Sequence, residues 1–429
     1  MNYFKFVLQL SIVHLSFAQL PPPDIPSNFD ISEFIHEPTG TPNLPADTSH
    51  EPSGAFRTLC KFSHLAYDDP IVYPNEYGKS HLHYFFGNTM TDASSTFESL
   101  RTTGNSTCNG NKVNRSSYWF PTVINGNNKV VDIDAIVVYY KSTGPPVNTS
   151  ALPNGLRLIA GYNFETKNQS PRTTHGYMSW SWSCHDDDNA TWPEDVLKDA
   201  AGYRSLPTKC SGRIAGRISF PNCWNGQIDS PDHRSHVVYA YFGAPDYKVA
   251  CPDTHPIRMP SITYNLMFRD VDGDVDTWRL SSDTPDIPRG ASLHADYFEA
   301  WDPIVKDRWL KGCVRGMRSC SGGPLGDGAS LDNSVYQILP TNQRLDVPTR
   351  PSGSSSPSTS TTAVTSPVTT VKTPATTVKT PVTTVKTSVT TVKSSPKQTT
   401  SSGAGVPTDT TTEVNPSAQS TATSEEATP

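Results

Sequence analysis

Eight cysteines, Cys60, Cys108, Cys184, Cys210, Cys223, Cys251, Cys313 and Cys320, all fall between residues 60 and 320. An even set confined to one stretch predicts four disulfides and an oxidising compartment. Each bond would restrain the unfolded chain and add about 2–4 kcal/mol. The pairing is one among roughly a hundred possible connectivities and cannot be read from spacing. No pair has the C-x-x-C spacing of a zinc site, which argues against metal ligation by thiolates.

The cysteine-bearing stretch is also where a core can form. From Pro351 to Pro429 the chain has no aromatic residue and no Leu, Ile, Cys or His, so that segment cannot bury a core. Within it a seven-residue unit recurs, Thr369-Thr370-Val371-Lys372-Thr373-Pro374-Ala375 and then Thr376-Thr377-Val378-Lys379-Thr380-Pro381-Val382. The period suits a heptad, but one Val per unit gives no a/d seam. Residues 346–429 read as a disordered, mucin-like Ser/Thr/Pro stalk. At the other end, Lys5 precedes the apolar run Phe6–Phe17 and the small residue Ala18, the pattern of a cleaved signal peptide over residues 1–18. That run is shorter than the roughly 20 residues needed to cross a bilayer, no other stretch would span one, and the polar C-terminus predicts no lipid anchor. Residues 19–50, with Pro38, Pro42 and Pro45, read as an extended Pro-rich leader. Sequons at Asn105, Asn114, Asn148, Asn168 and Asn189 point to a secreted, extracellular glycoprotein with these sites on exposed loops. The net charge of −6 and the absence of a Lys/Arg cluster exclude a sequence-independent grip on nucleic acid.

Residues 51–345 form the domain. Val130–Tyr140, Leu156–Tyr162, His236–Phe242 and Ser261–Phe268 read as strands, with Gly, Asn and Pro between them. Helical pattern is confined to Pro193–Ala201 and Pro303–Val314. The fold class expected is all-β, a disulfide-stapled β-sandwich or jelly roll with a few short helices. Asp270-Val271-Asp272-Gly273-Asp274-Val275-Asp276 resembles a calcium loop, but its glycine is misplaced and the closing Glu is missing, so a hairpin turn at Asp272-Gly273 is the better reading. Cys184-His185-Asp186-Asp187-Asp188, beside a sequon, reads as an exposed loop with optional calcium.

Histidines cluster in four places. Ser80-His81-Leu82-His83 puts two imidazoles at i and i+2 of an expected strand, on one face and close enough to share a divalent metal, although such a pair is as readily structural. Asp229-Ser230-Pro231-Asp232-His233-Arg234-Ser235-His236 gathers Asp232, His233 and His236 in a loop feeding a strand. Cys251-Pro252-Asp253-Thr254-His255-Pro256 fixes His255 beside a cysteine, where packing alone could explain it. Ser292-Leu293-His294-Ala295-Asp296-Tyr297 sets Asp296 two residues after His294. Imidazole suits proton transfer near neutral pH, and a neighbouring carboxylate orients it. The serine nucleophile elbow, the phosphate-binding glycine loop and the His-Glu-x-x-His zinc helix are all absent. Asp69, Asp92, Asp232, Asp296 and Glu299 are available as a carboxylate pair for glycosidic cleavage. Eight tryptophans are partly core and partly available to stack on sugars.

Asp69-Pro70-Ile71-Val72, Ser80-His81-Leu82-His83, Phe86-Gly87-Asn88, Ser117-Tyr118-Trp119, Leu156-Arg157-Leu158-Ile159-Ala160-Gly161, Asn222-Cys223-Trp224-Asn225-Gly226, Asp229 to His236, Cys251-Pro252, Thr254-His255-Pro256 and His294-Ala295-Asp296-Tyr297 occur in this order. In that order and spacing, over about residues 55–320, the chain resembles the secreted, largely fungal family called domain of unknown function nineteen ninety-six. The resemblance implies secretion and, from the sugar-binding modules that often accompany the family, a polysaccharide or cell-wall glycan as partner. This chain carries a stalk in place of such a module. The expectation is an extracellular protein acting on wall or matrix polysaccharide, as a glycoside hydrolase or polysaccharide lyase with His81, His83, His233, His236, His255 and His294 as acid, base or ligand and Asp69, Asp232 and Asp296 beside them. The alternatives are a non-catalytic polysaccharide-binding protein whose tryptophans hold glycan, and a metalloenzyme with His81 and His83 as ligands.

Overall fold

The computed structural model describes residues 19–46, 54–142, 148–167, 179–185, 205–210, 212–243, 248–269, 273–334 and 345–351. The signal segment, the helix expected over 193–201, the sequons Asn168 and Asn189, the acidic run 186–188 and the chain beyond residue 351 lie outside them.

Two sheets organise the domain, neither of them closed. The first has six strands in the order Ser319–Ser321, Ala55–Cys60, Ile133–Lys141, Ser261–Arg269, Arg213–Ser219, Trp180–His185, antiparallel apart from the first pair. The second has five antiparallel strands, Phe62–Ala66, His83–Gly87, Ser117–Pro121, His294–Phe298 and Arg157–Gly161. Alternation within each strand brings the sheets face to face. Phe56, Ile136, Val138, Tyr140, Ile214, Ile218, Tyr264, Leu266 and Phe268 of the first meet Tyr84, Phe86, Tyr118, Phe120, Leu158, Ala295 and Tyr297 of the second in one core. Rings cross the interface, Tyr118 to Tyr264 at 5.7 Å and Tyr84 to Phe268 at 6.3 Å. The all-β, disulfide-stapled class is therefore what the chain adopts, with two short α-helices among the described residues.

The five-stranded sheet is buried on both faces, as its unbroken burial shows. Its outer face packs a second apolar cluster in which Phe85, Trp119, Ile159 and Phe298 meet Ile71, Phe97 and Leu100. Phe97 and Leu100 belong to α1 (Phe97–Thr102), started by a capping box between Thr96 and Ser99. Helix α2 (Pro303–Trp309) begins at Asp302, whose Oδ1 accepts from the backbone N–H groups of Ile304 and Val305, with Pro at the first helical position. It continues into a π-helical turn, Leu310–Arg315, which ends one residue past the helical stretch read from sequence.

The disulfides join neighbours in the chain: Cys60–Cys108, Cys184–Cys210, Cys223–Cys251 and Cys313–Cys320. The leader is extended but bound. Ile35–His36 pairs with Ser330–Leu331, Gln19 O accepts from Ile228 N, and Ser27 and Ile25 accept from Arg101. Residues 345–351 also lie on the domain, where Tyr67 Oη donates to Pro348 O and the Arg350 guanidinium sits 4.6 Å over the Tyr67 ring.

Several local expectations are corrected. Asp272 lies outside the described residues, but the strands on either side of it do not pair with each other: Ser261–Arg269 is paired on both edges and Arg279–Leu280 pairs with Val123–Ile124. Asp274 instead accepts from the Trp278 indole and from Asn125. His236–Phe242 is two strands, Val237–Val238 and Tyr241–Gly243. Asn114 is not on an exposed loop: its side chain is fully buried and accepts from Tyr118 Oη, whereas Asn148 is exposed and Asn105 half-buried. All seven tryptophans among the described residues are buried, which leaves none of them to stack on a glycan.

His64 gives this layer a pH dependence. It stacks on Phe85 at 4.8 Å, and its ring nitrogens bond Ser63 Oγ and Thr91 O. Burial holds its pKa down at about 4. The unfolded chain therefore takes a proton on this ring as pH falls below about 6.5, while the folded chain does not until about 4. The stability it supports is full above pH 6.5 and is lost between those values. A series of melting curves from pH 7 to 4 should show His64→Gln losing less Tm on acidification than the wild type; parallel slopes would refute the assignment.

Candidate functional site

The alternation that builds the core also sets the site. His83 lies opposite Pro121, Phe85 opposite Trp119, Trp119 opposite Asp296, Asp296 opposite Ile159 and His294 opposite Gly161. With side chains alternating across each strand, His83, Trp119, Asp296 and His294 fall on the outer face of the five-stranded sheet. Gly161 is at φ +95, and a Cβ there would come within 2.5 Å of His294 Cα, so a side chain on this strand would collide with the backbone that carries the imidazole.

His81 precedes the strand that begins at His83, and its ring reaches the same place from the loop. The centroids of His81 and His83 are 4.3 Å apart and those of His81 and His294 are 4.9 Å apart. One ligand atom from each of His81, His83 and His294 lies within 4.8 Å of the others, and the same is true of Asp69, His83 and Asp296. His83 thus belongs to both groups. Its Nδ1 donates to Asp68 O at 3.0 Å, and His294 Nδ1 donates to Ser292 O at 2.8 Å. A backbone carbonyl fixes each tautomer and leaves Nε2 as the lone-pair nitrogen, which is how second-shell groups orient a metal-ligating histidine. His81 Nε2, His83 Nε2 and Asp296 Oδ2 are buried with no hydrogen-bond partner. Such orphaned polar atoms are costly unless something else binds them.

Electrostatics keep the imidazoles neutral. Burial, the other histidines and the Arg350 charge hold His81 well below its ordinary value. Burial and His294 take His83 down to about 3, and burial takes His294 to about 4. The carboxyls move the other way. Burial raises Asp69 to about 6 against the backbone N–H groups of Val72 and Ile71, and burial together with the Asp69 charge raises Asp296 well above its usual range. Two carboxyls this close do not both ionise readily unless a cation lies between them.

A cavity of about 390 Å³ opens onto this cluster, a volume in the range of small-molecule sites. Asp69, His81, His294 and Asp296 line it together with Val72, Tyr73, Ile159, Asn163, Phe164, Glu165, Asp232, His233 and Arg234. His83 is not among the lining residues and is buried beside His81. His233 has φ +54, rare for a residue with a Cβ and of the kind that concentrates at functional sites. Its Nδ1 contacts both Asp229 oxygens at 3.0 and 3.1 Å. That hydrogen bond, with the charges of Asp229 and Asp69, raises its pKa against burial.

Of the residues singled out from sequence, Asp69, His81, His83, Asp232, His233, His294 and Asp296 are brought together. Asp232 is at the rim and occupied with its own loop, its Oδ1 accepting from Ser230 Oγ, Ser235 N and Oγ, and Arg234 N. His236 and His255 do not enter the cavity lining. Both nitrogens of His236 are engaged, by Ser230 Oγ and Arg157 O, and both of His255, by Thr254 Oγ1 and Ser235 O. Of the other carboxylates, Glu299 is buried against Lys306 at 2.9 Å and Asp92 binds Ser94. Sequence reasoning misses Asp229 and Arg234, although both lie in the run Asp229 to His236, and offers no signal for Tyr73, Asn163 and Phe164.

No curated protein and no solved structure matches the chain. Residues 69–301, more than half of the chain, match the family described as Domain of unknown function (DUF1996). The matched segment starts at the Asp69 carboxylate and includes every member of the histidine cluster, so the chain belongs to that family.

Proposed function

We propose that this protein is an extracellular, divalent-metal-dependent enzyme that cleaves carbohydrate in the cavity above His81, His83 and His294. The observation that carries the reading is the convergence of three imidazoles held neutral, His83 and His294 buried and locked by backbone carbonyls and His81 half-buried, with the unpartnered Nε2 atoms of His81 and His83 beside a carboxyl pair. Imidazole donors suit zinc, copper, iron or nickel, and the adjoining carboxylates suit a cation that tolerates mixed nitrogen and oxygen ligands. A bound cation would supply Lewis acidity and lower the pKa of coordinated water. The protein's own residues would do the rest. Asp69 and Asp296 would balance the cation's charge, and His233, held by Asp229, would pass a proton to or from the substrate oxygen. Tyr73 and Phe164 would offer an apolar wall to a sugar ring, and Arg234 and Asn163 would offer it hydrogen bonds. Four disulfides and the absence, among the described residues, of any helix able to cross a membrane support secretion.

The burial of Asp69 and Asp296 on one wall favours this over a carboxylate pair that flanks a glycosidic bond from opposite sides. The burial of the described tryptophans weighs against a purely glycan-binding protein. The test is metal content by mass spectrometry on secreted protein purified without chelator, with release of sugars from a panel of wall polysaccharides before and after chelation. One transition metal per chain and products lost on chelation are expected. No metal and no products, with intact binding to one polysaccharide, would replace the enzyme by a binding protein.

A further inference from the structure

The three imidazoles of the cluster are unequally secured. His83 and His294 each hold Nδ1 on a backbone carbonyl, whereas among the described residues no hydrogen bond fixes the His81 ring, whose Nε2 is buried and unpartnered. His81 also precedes the strand that starts at His83, so its place depends on the loop that carries it. That loop runs from Tyr67 to Leu82. It supplies Asp68, whose carbonyl fixes His83, and Asp69, Tyr73 and Ser80 of the cavity lining. It is closed on itself, with Ser80 N donating to Tyr67 O at 2.9 Å and Gly78 N donating to Asp68 Oδ1 at 2.8 Å.

Residues 345–351 fasten that closure from outside. At one end of the loop Tyr67 Oη donates to Pro348 O at 3.0 Å, and at the other Arg350 Nη1 donates to Gly78 O at 3.1 Å and Lys79 O at 3.3 Å. The same guanidinium lies 4.6 Å over the Tyr67 ring, so one side chain joins both ends. Gly78, at φ +71, lets the two backbones approach, since a Cβ there would already stand 3.4 Å from Pro351. The segment is itself anchored. Leu345 and Val347 pack on the core, Leu345 O accepts from Val130 N at 2.9 Å, and Asp346 pairs with Lys129.

We propose that residues 345–351 are a strap that positions His81, with Arg350 as the positioning residue, so that the segment leading into the Ser/Thr/Pro-rich stretch belongs to the site without lining its cavity. The effect on cation binding rests on the reading of the cluster as a metal site. Groups that aim a ligand are typically worth about 10–100-fold in metal affinity, and three imidazoles act as a set only while the third stays in range of the other two. Charge works the other way. The Arg350 cation bears on His81 and would repel a bound metal ion, so its removal would tighten binding if charge were its whole role. Positioning and field therefore predict changes of opposite sign.

The test uses the full secreted chain as wild type, Arg350→Ala, Arg350→Lys, Tyr67→Phe and, as a surface control, Arg308→Ala. Zinc affinity is measured by competition with a chromophoric chelator, and protection of the Gly78 and Ser80 amides by hydrogen exchange, both well below the melting temperature. Arg350→Ala should bind zinc about tenfold more weakly and exchange these amides about tenfold faster. Tyr67→Phe should move both in the same direction by less, Arg350→Lys, which keeps the charge and one donor, should recover part of both, and Arg308→Ala should match the wild type. Unchanged exchange in Arg350→Ala would overturn the strap. Faster exchange with zinc bound equally or more tightly would leave only a surface contact and overturn the positioning of His81. Zinc bound by none of the proteins would sink the metal reading instead, and the exchange rates would still decide whether the strap holds the loop.

Discussion

His83→Ala should take the protein from about one bound transition metal per chain to essentially none and lower sugar release at least about 100-fold, more than the loss typical of a second-shell change. The size of the effect follows from position. His83 is fully buried, its Nδ1 is fixed by Asp68 O, and it is the only residue common to both ligand groups. No neighbouring side chain can take its place without moving a strand. His236→Asn is the matched control, because that imidazole is as buried but has both nitrogens hydrogen-bonded within the loop. It should retain metal and activity while melting lower. Metal retained in folded His83→Ala would remove the imidazole cluster from the chemistry.

Arg101→Met should destabilise the domain by about 3–5 kcal/mol, the cost of leaving one partner of a buried ion pair uncompensated. Arg101 is fully buried at the end of α1. It donates to Asp302 Oδ2 at 3.1 Å, Ser27 Oγ at 3.1 Å, Ile25 O at 3.1 Å and Ala300 O at 3.3 Å. One side chain thereby ties the leader, α1 and the residue that caps α2. Asp302 would stay buried, still capping the helix but without its counter-charge. Arg308→Ala is the contrast: its partners Glu37 and Asp327 are exposed, so a loss of about 1 kcal/mol or less is expected. Urea denaturation of the three proteins measures both, and similar midpoints for Arg101→Met and the wild type would show the buried pair to be energetically idle.

Residue types announced most of the site but not its membership. His81, His83 and His294 looked no different in sequence from His236 and His255, since each sat beside polar residues at the edge of an apolar run. Register separated them. His83 and His294 occupy outward positions of strands that neighbour the same central strand, and each holds Nδ1 on a backbone carbonyl with its ring beside His81. His236 and His255 instead stitch loops together, each with both nitrogens bonded. Asp229 was missed as a functional residue because its partner, His233, lies four residues on in an irregular loop, where no periodicity predicts that two side chains meet. The turn signal at Asp272-Gly273 meets the same limit: it is local, but whether the strands on either side pair with each other depends on which edges are already occupied, and Ser261–Arg269 has both taken.

The sequence by itself determined the class and the limits of the fold. Alternating apolar runs require sheets, an even set of cysteines requires their pairing, and a segment without aromatic, Leu or Ile residues cannot contribute a core, because these are properties of composition and short-range period. Tertiary structure alone decided which disulfides form, which of the three described sequons is buried and which histidines converge. These depend on strand order and register across separations of up to about two hundred residues. A shift of one residue in a strand would turn His83 from the outer face of its sheet into the core between the sheets, and nothing local in its sequence would record the change.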